Sequence, residues 1–254
     1  MNKEKFKQKA LNMFNNLLDE LYPENLSCFC CDEELNANTY LCKNCLDDLK
    51  PIKYFCKRCG EKVNSFDNFC LICKTKQYNF DKCIACFEYD GVAKKLIYKL
   101  KYGGAKYVSK AFSKNLLEKF LEAKFENIDL LTCAPLNKTR LKQRGYNQAE
   151  VLAKDFALEA NKNNINFDCD FNLITRIKNT PTQTHLTRKE RSENLKEAFK
   201  INCDKNFLKG KNILVVDDIF TTGATMDEIA KVLKKSGAKA VFGLTVCHTI
   251  LEKI

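Results

Sequence analysis

The sequence predicts an α/β protein, a parallel sheet flanked by helices and preceded by a small cysteine-rich module. Three observations predict it. Apolar runs of strand length alternate with stretches of helical periodicity through the C-terminal part of the chain. Evenly spaced cysteine pairs fill a segment before it that is too poor in apolar residues to build a core of its own. The run "VVDDIFTTGAT", Val215 to Thr225, carries a buried strand into two acids, hydroxyls, a glycine and the start of a helix.

Residues 1–26 place Phe6, Ala10, Met13, Phe14, Leu17, Leu18 and Leu21 at helical spacing and stop at Pro23, which predicts one amphipathic helix. Its polar face carries acids as well as lysines, so it is expected to pack on a neighbour rather than lie on a membrane. The cysteine module spans 27–80 and the α/β domain 81–254. In that domain "CIACFEYDG" reads as a strand and turn, with helical stretches on either side of Gly103 and Gly104. "IDLLTCAPL" then reads as a buried strand, "YNQAEVLAKDFALEAN" as a helix, and "NLITRI" and "NILVVDDI" as further strands. "TMDEIAKVLKKSG" is a helix closed by Gly237, and "KAVFGLTVCHTI" a last strand.

The 254 residues are 45% hydrophobic, enough for a real core. They contain no run of the ~18 apolar residues that a membrane span needs, and no signal-peptide core, so a cytoplasmic location is expected. The net charge is +11, and every charged residue from Lys94 to Lys114 is a lysine. Such a stretch is either a solvated helix face or a surface for phosphate-rich partners.

The chain has fifteen cysteines, and eight of them form the series Cys28-x2-Cys31, Cys42-x2-Cys45, Cys56-x2-Cys59 and Cys70-x2-Cys73, with ten residues between successive pairs. One CxxC turn points two sulfurs at one place, and two turns complete a tetrahedral thiolate cage of the kind zinc prefers. Eight ligands make two sites. Four thiolates leave no open position for a water, so the metal is structural; in small modules such a staple contributes on the order of 10–16 kcal/mol. Sequential and interleaved pairings both satisfy the spacing, and the sequential one is expected. Iron–sulfur ligation and disulfides rank below zinc, and Cys30 beside Cys31 leaves a register slip of one open. Cys83 and Cys86 fall in a strand, where residues three apart face opposite ways, so they read as core thiols. The isolated Cys133, Cys169, Cys203 and Cys247 read as small hydrophobes.

Ligands of an open parallel sheet bind beyond the carboxyl ends of its strands, and Asp217 and Asp218 stand near such an end. The N–H groups and dipole of the following helix form an anion site, Gly223 lets the backbone approach closely, and Thr221, Thr222 and Thr225 add hydroxyls. Such a segment suits a phosphate at one end and hydroxyls with a magnesium ion at the other, as in a phosphorylated sugar. A Walker-type loop is absent. Two acids capping a helix start would explain one carboxylate, not an adjacent pair followed by three threonines.

"ILVVDDIFTTGAT" resembles the phosphoribosyl-pyrophosphate (PRPP) motif of type I phosphoribosyltransferases. With "CFCCDEEL", "LCKNC", "CKRCG", "CLIC", "FEYDGVAKKLIYKLKYGG", "LKQRGYNQAEVLA" and "TPTQTHLTRKERSENLKEAF", the chain is similar to the ComF (ComFC) family of competence-associated proteins. The resemblance implies a cytoplasmic protein with a zinc finger and a phosphoribosyltransferase-like domain, serving DNA uptake in natural transformation. It implies that Asp217 and Asp218 hold ribose hydroxyls and that Thr221, Thr222, Gly223, Ala224 and Thr225 hold the 5′-phosphate. The diphosphate would meet the loop at Ala134 to Leu136, where the family's Pro-x-Pro turn is reduced here to Pro135. Lys101, Arg140, Arg144, Arg188 and Arg191 suit a diphosphate or a nucleic-acid phosphate, with Gln183, Asn147 and Asn194 in the same segments. His185 is a candidate general base as well as an ordinary loop residue, and His248 is a weaker candidate.

Three functions compete. In the first, Tyr98, Tyr102 and Tyr107, interleaved with Lys99, Lys101 and Lys106, engage single-stranded DNA while the pocket binds PRPP with magnesium. In the second, the chain is an active phosphoribosyltransferase with an unidentified acceptor. In the third, the cysteine module is an adaptor for a partner such as a competence DNA helicase.

Overall fold

A computed structural model of the protein describes residues 26–35, 39–125, 127–178, 193–204 and 206–250. The predicted N-terminal helix lies outside them. The described chain divides into two compact units between Asp48 and Leu49, so the second pair of cysteine turns belongs with the sheet.

In the first unit, Cys28 N–H donates to Glu33 O (2.7 Å) and Asp32 N–H to Cys28 O (2.9 Å), with Asp32 left-handed at φ 63°. Cys42 then opens the short helix α1, Lys43–Asp47. The second unit repeats the device. Cys56 N–H donates to Glu61 O (2.8 Å), Gly60 N–H donates to Cys56 O (3.0 Å) with φ 77°, and Cys70 opens α2, Leu71–Thr75. Each left-handed residue turns the chain back under its CxxC pair.

The second knuckle is fastened to the sheet. A Cβ at Gly60 would lie 2.8 Å from Ile84 Cα and 2.9 Å from Cys83 O, so only glycine fits against that backbone. Cys83 N–H donates to Arg58 O (2.7 Å), and Ile52 N–H donates to Cys86 O (2.9 Å).

The main sheet has four parallel strands in the order β1 (Lys82–Glu88), β6 (Ala240–His248), β5 (Asn212–Phe220) and β2 (Leu130–Cys133). Every residue of β6 is buried, as expected of a central parallel strand covered on both faces. Between β1 and β2 run α3 (Gly91–Tyr102) and α4 (Lys110–Ala123). After β2 come α5 (Lys138–Arg144) and α6 (Gln148–Lys162), and α7 (Ala224–Lys235) joins β5 to β6. α6 forms because Ala149, Leu152, Ala153, Phe156 and Ala160 recur at three- and four-residue spacing and are buried.

One expectation is corrected. "NLITRI" supplies β3 (Ile174–Arg176), which pairs antiparallel with β4 (Phe199–Ile201) in a separate two-stranded sheet. The physical reason is that the free edge of β2 is already taken. Leu131 N–H donates to Asp168 O (2.8 Å), Asp170 N–H to Leu131 O (3.0 Å), and Thr132 Oγ1 to Asp170 O (2.7 Å). Among the described residues, no helix is long and apolar enough to cross a membrane.

Candidate functional site

β5 is apolar and buried from Ile213 to Val216 and then presents Asp217 and Asp218, three and two residues before its end at Phe220. Successive strand side chains leave on opposite faces, but at this strand end the two carboxyls stay close enough to interact directly. Asp217 lines a concavity with Thr221, Gly223, Thr225, Met226 and Thr245. Its Oδ1 accepts from the Asp218 N–H at 2.8 Å. Its carboxyl is pushed up to about 8, first by burial and then by the negative charge of Asp218. Asp218 is 5% exposed, and its Oδ2 lies 2.9 Å from the Lys101 ammonium of α3. Burial works most strongly against the Lys101 charge, but Asp218, joined by Asp217 and Tyr89, outweighs it and the lysine pKa is raised.

The turn that follows is shaped from below. Gly223 has φ 78°, and a Cβ there would lie 2.6 Å from Phe220 Cζ and 3.1 Å from Tyr78 Cε1. Glycine is thus required by its backbone angle and by the aromatic pad beneath it. Tyr78 donates its hydroxyl to Thr222 O (3.4 Å), and the Asn79 amide donates to Asp227 Oδ1 (3.0 Å) in the first turn of α7. Phe80 meets Phe220 edge-on at 5.9 Å, and Phe220 stacks on His248 at 4.8 Å. His248 is therefore a buried packing residue, 1% exposed, with Glu61 Oε2 3.6 Å from its Nδ1. The segment leaving the second knuckle supports the turn from Thr221 to Thr225.

The loop after β2 is held by Asn147. This buried residue accepts from Ala149 N–H (3.1 Å) to cap α6 and donates to Ala134 O (3.0 Å). Asn137 caps α5 by accepting from Arg140 N–H (2.7 Å). Arg140 is half-buried, while Arg144 lies 5.1 Å from the centre of the Tyr102 ring and bonds Gln148. Asn194 is half-buried; Gln183, His185, Arg188 and Arg191 fall outside the described residues. Arg176 was missed by the sequence reading. It is 8% exposed, and its charge is opposed first by burial, then by Arg140, and supported by Asp217. Its only sequence signal is an arginine inside an apolar strand.

On the outer face of α3, Tyr98 and Tyr102 are 62% and 64% exposed with ring centres 4.9 Å apart; Tyr107, in the 3-10 turn after the helix, is 52% exposed. Lys101 does not share that face; it turns inward to Asp218.

The cysteines gather as Cys28, Cys31, Cys42, Cys45 and as Cys56, Cys59, Cys70, Cys73, each set with its sulfurs within 4.8 Å of one another. Cys59 Sγ and Cys70 Sγ are 3.6 Å apart, and the Cys56 thiol is drawn down to about 4, chiefly by its hydrogen bond with Cys59. Four converging sulfurs with one already inclined to ionise fit a tetrahedral zinc ion. Cys83, Cys86, Cys133 and Cys247 are buried outside both sets, whereas Cys169 is exposed.

These features define the class. Residues 142–252 match the phosphoribosyl transferase domain family, and residues 17–74 match the double zinc ribbon domain. The chain is 30% identical to Competence protein F of Haemophilus influenzae over 63% of its own length and 70% of that protein's. It is also 30% identical to the DNA utilization protein YhgH of Escherichia coli strain K12, over 66% of this chain and 73% of the relative. Competence protein ComFC of Bacillus subtilis is 25% identical over 61% of this chain and 58% of that protein. The chain belongs to the ComF family of competence-associated proteins. Among solved structures, a hypoxanthine-guanine phosphoribosyltransferase from Bacillus anthracis aligns at 20% identity with a TM-score of 0.36, covering 56% of this chain and 70% of that one.

Asp217 yields a stability prediction. A carboxyl with a raised folded-state pKa holds its proton more tightly in the folded chain. The stability it confers is therefore complete below the ordinary carboxylate range and is lost as pH rises through about 8. Asp217→Asn has no such proton to lose. Its advantage over wild type in thermal unfolding at constant zinc is expected to grow from pH 5 to pH 8 and then level off. It should reach ~1 kcal/mol or more, the worth of a one-unit shift; an advantage independent of pH contradicts the assignment.

Proposed function

We propose that this chain is a DNA-uptake factor of natural transformation that binds PRPP, or a related phosphoribosyl ligand, with magnesium, and handles single-stranded DNA. The observation that carries the ligand reading is the concavity in which Asp217 meets Thr221, Gly223 and Thr225 at the start of α7. The ribose hydroxyls donate to the carboxylates, and the 5′-phosphate takes the backbone N–H groups and threonine hydroxyls of the turn, favoured by the helix dipole. Magnesium, when bound, would offset the charge of the diphosphate. The loop that Asn147 pins at Ala134 follows β2, the strand beside β5, and would meet that end, with Arg140 on the following α5. Transfer to an acceptor would use the same pocket: a nucleophile bonds to the anomeric carbon as the bond to the diphosphate oxygen breaks, with the electron pair leaving on diphosphate.

Support for the DNA reading comes from the names of the relatives, Competence protein F and DNA utilization protein, and from the exposed tyrosines of α3. Tyr98 and Tyr102 offer adjacent faces for stacked bases, and exposed Lys94, Lys95 and Lys106 offer charge for the backbone. The cytoplasm is the compartment that this role requires.

Calorimetric titration of PRPP with excess magnesium is expected to saturate at one site on wild type. Asp217→Asn should weaken it by about 10-fold to 100-fold, the range for one hydrogen bond to a charged group. An absence of saturable binding to wild type contradicts the ligand reading. For DNA, affinity for an oligothymidylate is expected to fall steeply with salt, and Tyr98→Ala/Tyr102→Ala should cost about tenfold or more at any one salt concentration. Equal affinity of the double variant and wild type removes the tyrosines from the interface.

A further inference from the structure

We propose that Lys101 is the resident counter-ion of the Asp217–Asp218 pair and sets which charge state binds there, favouring a phosphoribosyl ligand that carries its divalent ion over the bare ion. The proposal rests on the phosphoribosyl reading of the pocket. It follows from where this lysine points.

Within the all-lysine stretch of α3, Lys94 and Lys95 are exposed, whereas Lys101 sits one turn after buried Ile97 and next to buried Leu100. Its stem therefore runs along the apolar face and its ammonium reaches inward. The Lys101 side chain is 18% exposed, and the Asp218 side chain that it meets at 2.9 Å is 7% exposed. A long cation is held in this way only against a fixed charge, and Asp217, bonded to the Asp218 N–H, adds to the same field.

The charge balance gives the contact its consequence. Asp218, with Asp217 giving up its proton to an incoming cation, would alone attract a bare divalent ion and repel a ligand of net negative charge. An ammonium touching one of them reverses both tendencies. A bare ion must then approach or displace a fixed positive charge, whereas a phosphoribosyl ligand with its metal arrives net negative and meets less repulsion. A purely structural ion pair would leave both affinities alone.

The test uses the full chain loaded with zinc. Binding of bare Mn2+, read from the free-ion paramagnetic resonance signal, and of PRPP with magnesium, read by calorimetry, are compared for wild type, Lys101→Met and Lys101→Arg. Lys101→Met is expected to bind Mn2+ about tenfold or more tightly and the loaded ligand about tenfold or more weakly, while Lys101→Arg keeps both near wild type. Where wild type binds PRPP, unchanged Mn2+ affinity, or a gain in it without loss of the loaded ligand, overturns the proposal. If wild type binds no PRPP while Lys101→Met gains Mn2+, the phosphoribosyl reading falls and the counter-ion role stands. If wild type binds PRPP and Lys101→Met changes neither affinity, the reading stands and the proposal falls.

Lys101→Met strands a buried acid, so a second measurement needs no variant. Amine acetylation of wild type, read by mass spectrometry, is expected to leave Lys101 protected relative to Lys94 and Lys95. Saturating Mn2+ should raise labelling of Lys101 alone as its ammonium is displaced. Labelling of Lys101 that does not respond to bound Mn2+ overturns the proposal.

Discussion

Two acids at successive positions of a buried β-strand are held close enough to act on one another, and the arrangement of the site follows from that constraint. Asp217 joins the threonine-rich turn and the start of α7, while Asp218 turns toward α3 and meets Lys101 at 2.9 Å. A single strand end thereby couples the turn from Thr221 to Thr225 to a lysine of α3. The raised carboxyl of Asp217 is the cost of holding two acids together in a buried strand, a form of local instability common where a site must receive charge.

The turn depends on the module that precedes the sheet. Gly60 lets the second cysteine knuckle lie against the backbone of β1, and the segment that leaves the knuckle sets Tyr78 and Phe80 under Gly223 and Phe220. In this fold a zinc ion at Cys56, Cys59, Cys70 and Cys73 does more than close a loop. It fixes the piece of chain on which the turn from Thr221 to Thr225 rests, so the metal and that turn share one support.

The cysteine sets, β5 and the turn from Thr221 to Thr225 were legible in the sequence because each is a local pattern: fixed spacing, an apolar run, a glycine before a helix. What was not legible depends on distant partners. Lys101 reads as a phosphate contact in a lysine-rich stretch, and its pairing with Asp218 is visible only once Ile97 and Leu100 are seen to bury their face of α3. "NLITRI" has the composition of a parallel strand, and only the pairing of residues 168–170 along β2 denies it that place. Asn147 reads as a polar neighbour of the arginines, whereas its side chain caps a helix and pins the loop at Ala134 at once. Arg176 gave only a weak signal, because a lone arginine in a short apolar strand has no spacing to compare.

The central claim is that the end of β5 and the first turn of α7 grip one sugar phosphate between them. Hydrogen exchange read by mass spectrometry, with and without PRPP and magnesium, tests it most directly. The account predicts slowed exchange confined to peptides covering Val215 to Met226 and the Ala134 loop. Protection elsewhere with none at Thr221 to Thr225 would contradict it.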